Sequence, residues 1–162
     1  MGTRWVRGVA VGLAAAALGA CGLAIPSDPD GTLTALLERG TLRAGASPRT
    51  PWVEVAGEKE APPSGSEVEL VEAFADHLGV DVAWTVSGES ELVEMLDLGQ
   101  IDVVAGGLTA NSPYAEAVAL TRPYAESTTP EGEVRGHVLA VPVGENAMLS
   151  TLERFLDDRG QQ

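Results

Sequence analysis

Cys21 is the only cysteine in the chain, and its neighbours indicate what its thiol is for. Arg4 and Arg7 make a basic start, Gly8 to Ala20 is an uncharged, Ala-rich stretch of 13 residues, and Leu18-Gly19-Ala20 leads directly into the cysteine. A basic start, a short apolar run and small residues before the cut describe an export signal. The run is shorter than the roughly 20 residues a membrane-spanning helix needs. The Leu-Gly-Ala-Cys order is the pattern of a bacterial lipoprotein signal, in which the thiol receives a diacylglyceryl group and heads the mature chain after cleavage. We therefore expect a signal peptide over residues 1–20 and lipidation at Cys21. The protein is then lipid-anchored at the extracytoplasmic face of the cell membrane. Acyl chains contribute about 0.8 kcal/mol per buried methylene, and two of them give stable anchoring.

Other reactive groups are sparse. Two histidines, His77 and His137, and no second cysteine leave no Cys/His metal cluster to build, so neither a metal nor another cofactor is expected. The formal charge is −14, and residues 1–20 hold two arginines and no acid, so the remainder stands two lower, at −16. Such a chain is repelled by nucleic acid and by anionic lipid. His77 lies beside Asp76 late in an acidic helix and reads as solvated. His137 opens a strand with no neighbouring nucleophile or acid. Asp102 reads as a turn or helix-cap acceptor, and Glu89, Glu91, Glu94 and Asp97 as a solvated helix face. No acid–base pair assembles, and no enzyme activity is expected.

These residues must be positioned by a fold whose elements can be read in order. After a tether over residues 21–31, Leu33, Leu36 and Leu37 mark a short helix stopped at Gly40, and Thr41 to Ala46 is a strand. Ser47 to Ser64 is a Pro- and Gly-rich loop with room for a hairpin around Gly57. Val68, Val71, Phe74, Ala75 and Leu78 recur at helical spacing up to Gly79. Asp81 to Val86 is a strand, and Leu92, Val93 and Leu96 mark a helix closed by Gly99. Ile101 to Ala105 and Val138 to Val143 are almost wholly apolar strands, as expected when both sheet faces are covered. Met148, Leu149, Leu152, Phe155 and Leu156 give a final helix. Alternating strands and helices with short links predict an α/β domain over residues 32–160. Ligands of such sheets bind beyond the carboxyl ends of the strands. That edge holds the loop after Ala46, the turn at Ser87 to Ser90 and the loop from Gly106 to Asn111.

Five pieces in this order resemble the first lobe of the family 3 extracellular solute-binding proteins, the amino-acid type of ABC importer receptor. They are Leu37-Glu38-Arg39-Gly40-Thr41-Leu42-Arg43-Ala44-Gly45, the pair Pro51-Trp52, Gly65-Ser66-Glu67-Val68-Glu69-Leu70 to Leu78-Gly79-Val80, Leu96 to Thr109 with Gly106-Gly107-Leu108-Thr109, and Arg122-Pro123-Tyr124. The likeness resumes at Val138 to Gly160. The resemblance implies a single lobe of the type II periplasmic-binding-protein fold, a central mostly parallel sheet flanked by helices. The second lobe is missing, and a short polar loop over residues 125–136 stands in its place.

The resemblance also implies a ligand site. Trp52 fits the aromatic of the first loop, and Gly107, Leu108 and Thr109 fit the loop whose N–H groups and hydroxyl hold a carboxylate. The family's carboxylate-binding arginine falls at position 114, where Tyr114 stands. A phenol carries no charge and cannot grip a carboxylate bidentately. The implied function is a solute-binding-like protein serving ABC-type amino-acid uptake with weakened binding, partnered by a permease or another binding-protein subunit. The alternative is a non-transport lipoprotein that uses the lobe as a protein-interaction scaffold.

Overall fold

The computed structural model describes residues 30–56 and 61–160; the expected signal, Cys21 and most of the tether lie outside the described residues. Among the described residues, four helices and seven strands follow in the order α1 (Thr32–Arg39), β1 (Thr41–Ala46), α2 (Ser66–Leu78), β2 (Asp81–Val86), α3 (Glu89–Asp97), β3 (Val103–Ala105), β4 (Ala119–Leu120), β5 (Ala125–Thr128), β6 (Val134–His137), β7 (Ala140–Val141) and α4 (Asn146–Gly160). The main sheet runs β2-β1-β3-β7-β4. β1 pairs in parallel with β2 and β3, while β7 runs antiparallel to both β3 and β4. Four of the five strands therefore point the same way, which is the mostly parallel α/β sheet expected.

Both faces of the sheet are covered, and strand alternation assigns each residue to one of two cores. Val103 and Ala105 join Leu42, Ala44, Ala46, Phe74, Met148 and Leu152 in the larger core under α1, α2 and α4. Val104 and Ala140 join Leu92, Leu96, Ile101 and Val138 in the smaller core under α3. A residue fully removed from water in this way contributes about 1.5–3 kcal/mol when it is the size of Leu or Phe. Gly45 is required where α3 comes down on β1: a Cβ there would sit 2.8 Å from both Ile101 Cδ1 and Leu92 Cδ2.

Helix α2 forms where the sequence places acids at its start and apolar residues at i, i+3 spacing. Glu67 and Glu69 occupy its first turn, and Val68, Val71, Phe74 and Ala75 are buried. Helix α1 is held at its start by the buried Glu145, whose carboxylate accepts the backbone N–H groups of Asp30 and Thr32, each at 2.9 Å. Asp30 is thus docked onto the domain, so the expected tether ends short of it.

Three expectations are corrected. Residues 125–136 are not a bare loop: β5 and β6 form an antiparallel hairpin with Ala125 opposite His137 and Thr128 opposite Val134. The returning strand is shorter than Val138–Val143, and β4 adds a further strand at the sheet edge. Asp102 is neither a turn acceptor nor a helix cap. It is buried, with its carboxylate ion-paired to Arg39 at 2.6 Å and Arg43 at 2.7 Å and accepting the Arg43 N–H at 2.8 Å. His77 is exposed, as expected, but its ring lies 5.4 Å from that of Phe155.

Candidate functional site

The loops that follow β1, β2 and β3 converge at the carboxyl edge of the parallel strands. There they form a cleft of about 320 Å3 lined by Arg49, Glu89, Thr109, Ser112, Tyr114 and Arg135, with Gly107 at its base. Arg49 comes from the loop after β1, Glu89 from the start of α3 and Thr109 to Tyr114 from the loop after β3. Arg135 is carried by β6 of the hairpin. The Arg49 guanidinium donates to the Glu89 carboxylate at 3.3 Å across the cleft, and Arg135 pairs with Glu133 at 3.0 Å. All three loops singled out from the sequence therefore meet in one place.

The base of the cleft is built around Glu67, the first acid of α2. Its Oε2 accepts the N–H groups of Gly106 at 2.7 Å and Gly107 at 2.8 Å, and its Oε1 accepts the hydroxyl of Tyr124. Burial pushes the Glu67 carboxyl above its usual range, against the opposing pull of these three hydrogen bonds and the Arg49 charge. Burial, followed by the neighbouring Glu67 charge and hydrogen bond, also raises Tyr124, so the phenol keeps its proton and acts as the donor. The expectation that Gly107 offers a free amide to a ligand is corrected, because that N–H is already donated inward to Glu67. Glycine is needed at 107 for a second reason. Its φ is +60°, and a Cβ would lie 2.5 Å from Arg49 Cδ and 2.6 Å from Trp52 Cδ1.

The remaining expected site residues separate by role. Leu108 is buried in the smaller core and also lines the cleft. Thr109 is half-buried on the cleft lining and bridges to His137 across antiparallel backbone. Tyr114 lines the cleft and packs against the smaller core. Trp52 packs against Gly107 and stacks on the His137 ring, with centroids 3.9 Å apart and planes inclined by 32°, and is not among the lining residues.

His137 does not open a strand in isolation, as its sequence context suggested. It ends β6, is buried, and its Nε2 lies 2.7 Å from Ser127 Oγ on the opposite arm of the hairpin. Burial, with a smaller push from Arg49 and against a hydrogen bond with the Leu108 backbone, lowers its pKa. Sequence reading missed Arg49, Glu67, Ser112, His137 and Arg135 as site residues, and Glu89, expected on a solvated helix face, instead pairs with Arg49 at the cleft. The first two carried a signal: Arg49 stands in a ligand-edge loop, and Glu67 opens the acidic helix start. Arg135 carried none, since its place depends on the fold of the hairpin.

Comparison with known proteins agrees with this architecture. Residues 42–159 match the family described as bacterial extracellular solute-binding proteins, family 3. Among relatives, membrane-bound lytic murein transglycosylase F of Maricaulis maris is 38% identical over 104 residues, covering 62% of this chain and 22% of that protein. A probable histidine-binding protein of Campylobacter jejuni is 25% identical over 84 residues, covering 52% of this chain and 32% of the relative. The chain thus spans less than a third of the length of both. Relatives named as binding proteins and relatives named as enzymes both occur. Among solved structures, the arginine-bound domain 1 of TmArgBP, as its Phe57Trp mutant, aligns with a TM-score of 0.70 at 22% identity, covering 80% of this chain and 99% of that domain. The ancestral cationic amino acid solute-binding protein AncCDT-1 aligns with a TM-score of 0.69 at 15% identity, covering 80% and 94%. With most of its length matched and its described fold corresponding to one such domain, the chain belongs to the bacterial extracellular solute-binding proteins, family 3.

Proposed function

We propose that this chain is a lipid-anchored, extracytoplasmic, single-lobe solute-binding protein that works with an ABC-type permease in amino-acid uptake and holds its solute weakly. The observation that carries this reading is the cleft at the carboxyl edge of β1, β2 and β3, where two guanidiniums, the Thr109 hydroxyl and the Tyr114 ring meet. That one lobe can hold a ligand is supported by the isolated TmArgBP domain 1, described as arginine-bound. Weak binding follows from what the cleft lacks. Ordinary pockets enclose about 70–90% of a small ligand, whereas here Arg49 and Arg135 stand about half exposed to solvent. The Gly107 amide is committed to Glu67, and position 114 carries no charge. We expect dissociation constants of about 1 mM or weaker for free amino acids, equivalent to about −4 kcal/mol.

Calorimetric titration of the purified full chain in detergent against the common amino acids tests this. Micromolar binding would overturn the weakened site, and no binding at any accessible concentration would favour the scaffold reading. The anchor rests on Leu18 to Cys21. Cys21→Ala should block lipidation and signal removal together, and a mutant processed and released like the wild type would refute the anchor.

A further inference from the structure

We propose that Arg49 and Arg135 form the carboxylate clamp of this chain, with the β5–β6 hairpin supplying the charge that position 114 lacks. The inference rests on the cleft being a solute site. Both guanidiniums line the same cleft as Thr109, Ser112 and Tyr114, and they reach it from different elements, the β1 loop and β6. The other guanidiniums described in polar contacts are engaged elsewhere. Arg39 and Arg43 are held on buried Asp102, Arg122 on Glu153 and Asp157, and Arg154 on the Ser150 carbonyl and Thr151.

The two cleft arginines are held by exposed pairs, as Arg122 is, but only these two face the cleft. The Arg49–Glu89 and Arg135–Glu133 pairs hold partly exposed guanidiniums, with side-chain exposures of 56% and 49%, at 3.3 and 3.0 Å. Exposed pairs of this sort contribute little, about 0–1 kcal/mol. A ligand carboxylate seated between the two guanidiniums replaces a weakly held glutamate partner at each arginine with a charge-assisted contact shared by both. The Thr109 and Ser112 hydroxyls on the same lining are further donors to its oxygens. The ligand class that fits is a small molecule bearing a free carboxylate. The hairpin thereby does part of the work of an opposing wall, without a hinge, because it is fixed to the cleft loop by backbone bonds. Ala110 N–H donates to the Gly136 carbonyl at 3.0 Å and Val138 N–H to the Leu108 carbonyl at 3.1 Å.

The test is ligand-observed NMR on the full chain in detergent, titrated with each common L-amino acid and with its α-carboxamide. The amide should bind about tenfold or more weakly than the acid, the loss expected when one charge-assisted contact is removed. Arg49→Ala and Arg135→Ala should each weaken the acid about tenfold and erase its advantage over the amide. Glu133→Gln, which releases Arg135 without removing it, should leave acid binding unchanged or tighter. Unchanged melting of these variants, which alter exposed side chains, excludes misfolding as the cause. If an amino acid binds and both arginine variants bind it equally well, the clamp is overturned and the solute cleft stands. If the wild type binds no amino acid, both readings fall.

Discussion

The two ends of the parallel strands use arginine and carboxylate in opposite ways. At the amino end, Asp102 is buried and receives Arg39, Arg43 and a backbone N–H, so its charge is closed upon itself. At the carboxyl end, Arg49 faces Glu89 and Arg135 faces Glu133 in partly exposed pairs around a cleft. A buried carboxylate stripped of its partners is expensive, which makes the first arrangement structural. Exposed pairs are worth little and exchange partners readily, which makes the second addressable by a ligand. Between the two ends, Glu67 joins both habits. It is buried like Asp102, yet its bonds to Gly106 and Gly107 set the shape of the cleft.

The most severe way to break this comparison is to remove the strand that both ends share. Truncation after Glu133 deletes β7, which lies between β3 and β4, and exposes the apolar edge of β3. We expect loss of cooperative folding and aggregation. A soluble product with an unchanged melting curve would show that the C-terminal segment is not part of the core.

At the amino end, Asp102→Ala should destabilise the domain by about 2–4 kcal/mol, toward the lower side of the buried-pair range because both guanidiniums keep partial access to water. Denaturant unfolding measures this, and solute affinity should not change.

Glu67→Ala should cost about 2–3 kcal/mol by leaving the Gly106 and Gly107 N–H groups unpaired, and it should weaken solute binding as well. Glu67→Gln sharpens the point through pH. Because burial raises the Glu67 pKa in the folded state, its protonated form is favoured by folding. Its contribution is fully present below the unfolded value near 4.5 and is lost as pH rises through the folded value. Over that window the wild type should lose stability relative to Glu67→Gln. Parallel curves for the two proteins would show that Glu67 titrates as it does in the unfolded chain.

The smallest effect on stability belongs to the cleft. Arg49→Ala should change stability by about 1 kcal/mol or less. Tyr114→Arg, which adds a guanidinium at the cleft lining, should tighten amino-acid binding by about tenfold or more, as one charge-assisted contact allows. A Tyr114→Arg variant with unaltered affinity would place the carboxylate away from position 114.

Apolar periodicity was sufficient for most of the framework. The helix-spaced Val68, Val71, Phe74 and Ala75, the strand Thr41 to Ala46 and the unbroken Val103 to Ala105 are local patterns that a two-faced sheet reads directly. The edge where the loops after β1, β2 and β3 meet was equally legible, because the ends of parallel strands are set by chain direction. The hairpin was not. Ala125 to His137 is polar and short, and its strands exist because they pair with each other and with the loop at Leu108 to Ala110. The same holds for individual side chains. Nothing near Asp102 in sequence announces Arg39 and Arg43, which lie 63 and 59 residues away. Nor does anything near Gly107 announce a carboxylate 40 residues earlier that takes its amide. Sequence alone determined the helices, the strands β1 to β3, their order and the edge where the loops after them meet, since these depend on spacing within a few residues. Tertiary structure alone decided which charges are sealed and which are left open, because burial and partner choice are set by contacts between distant segments.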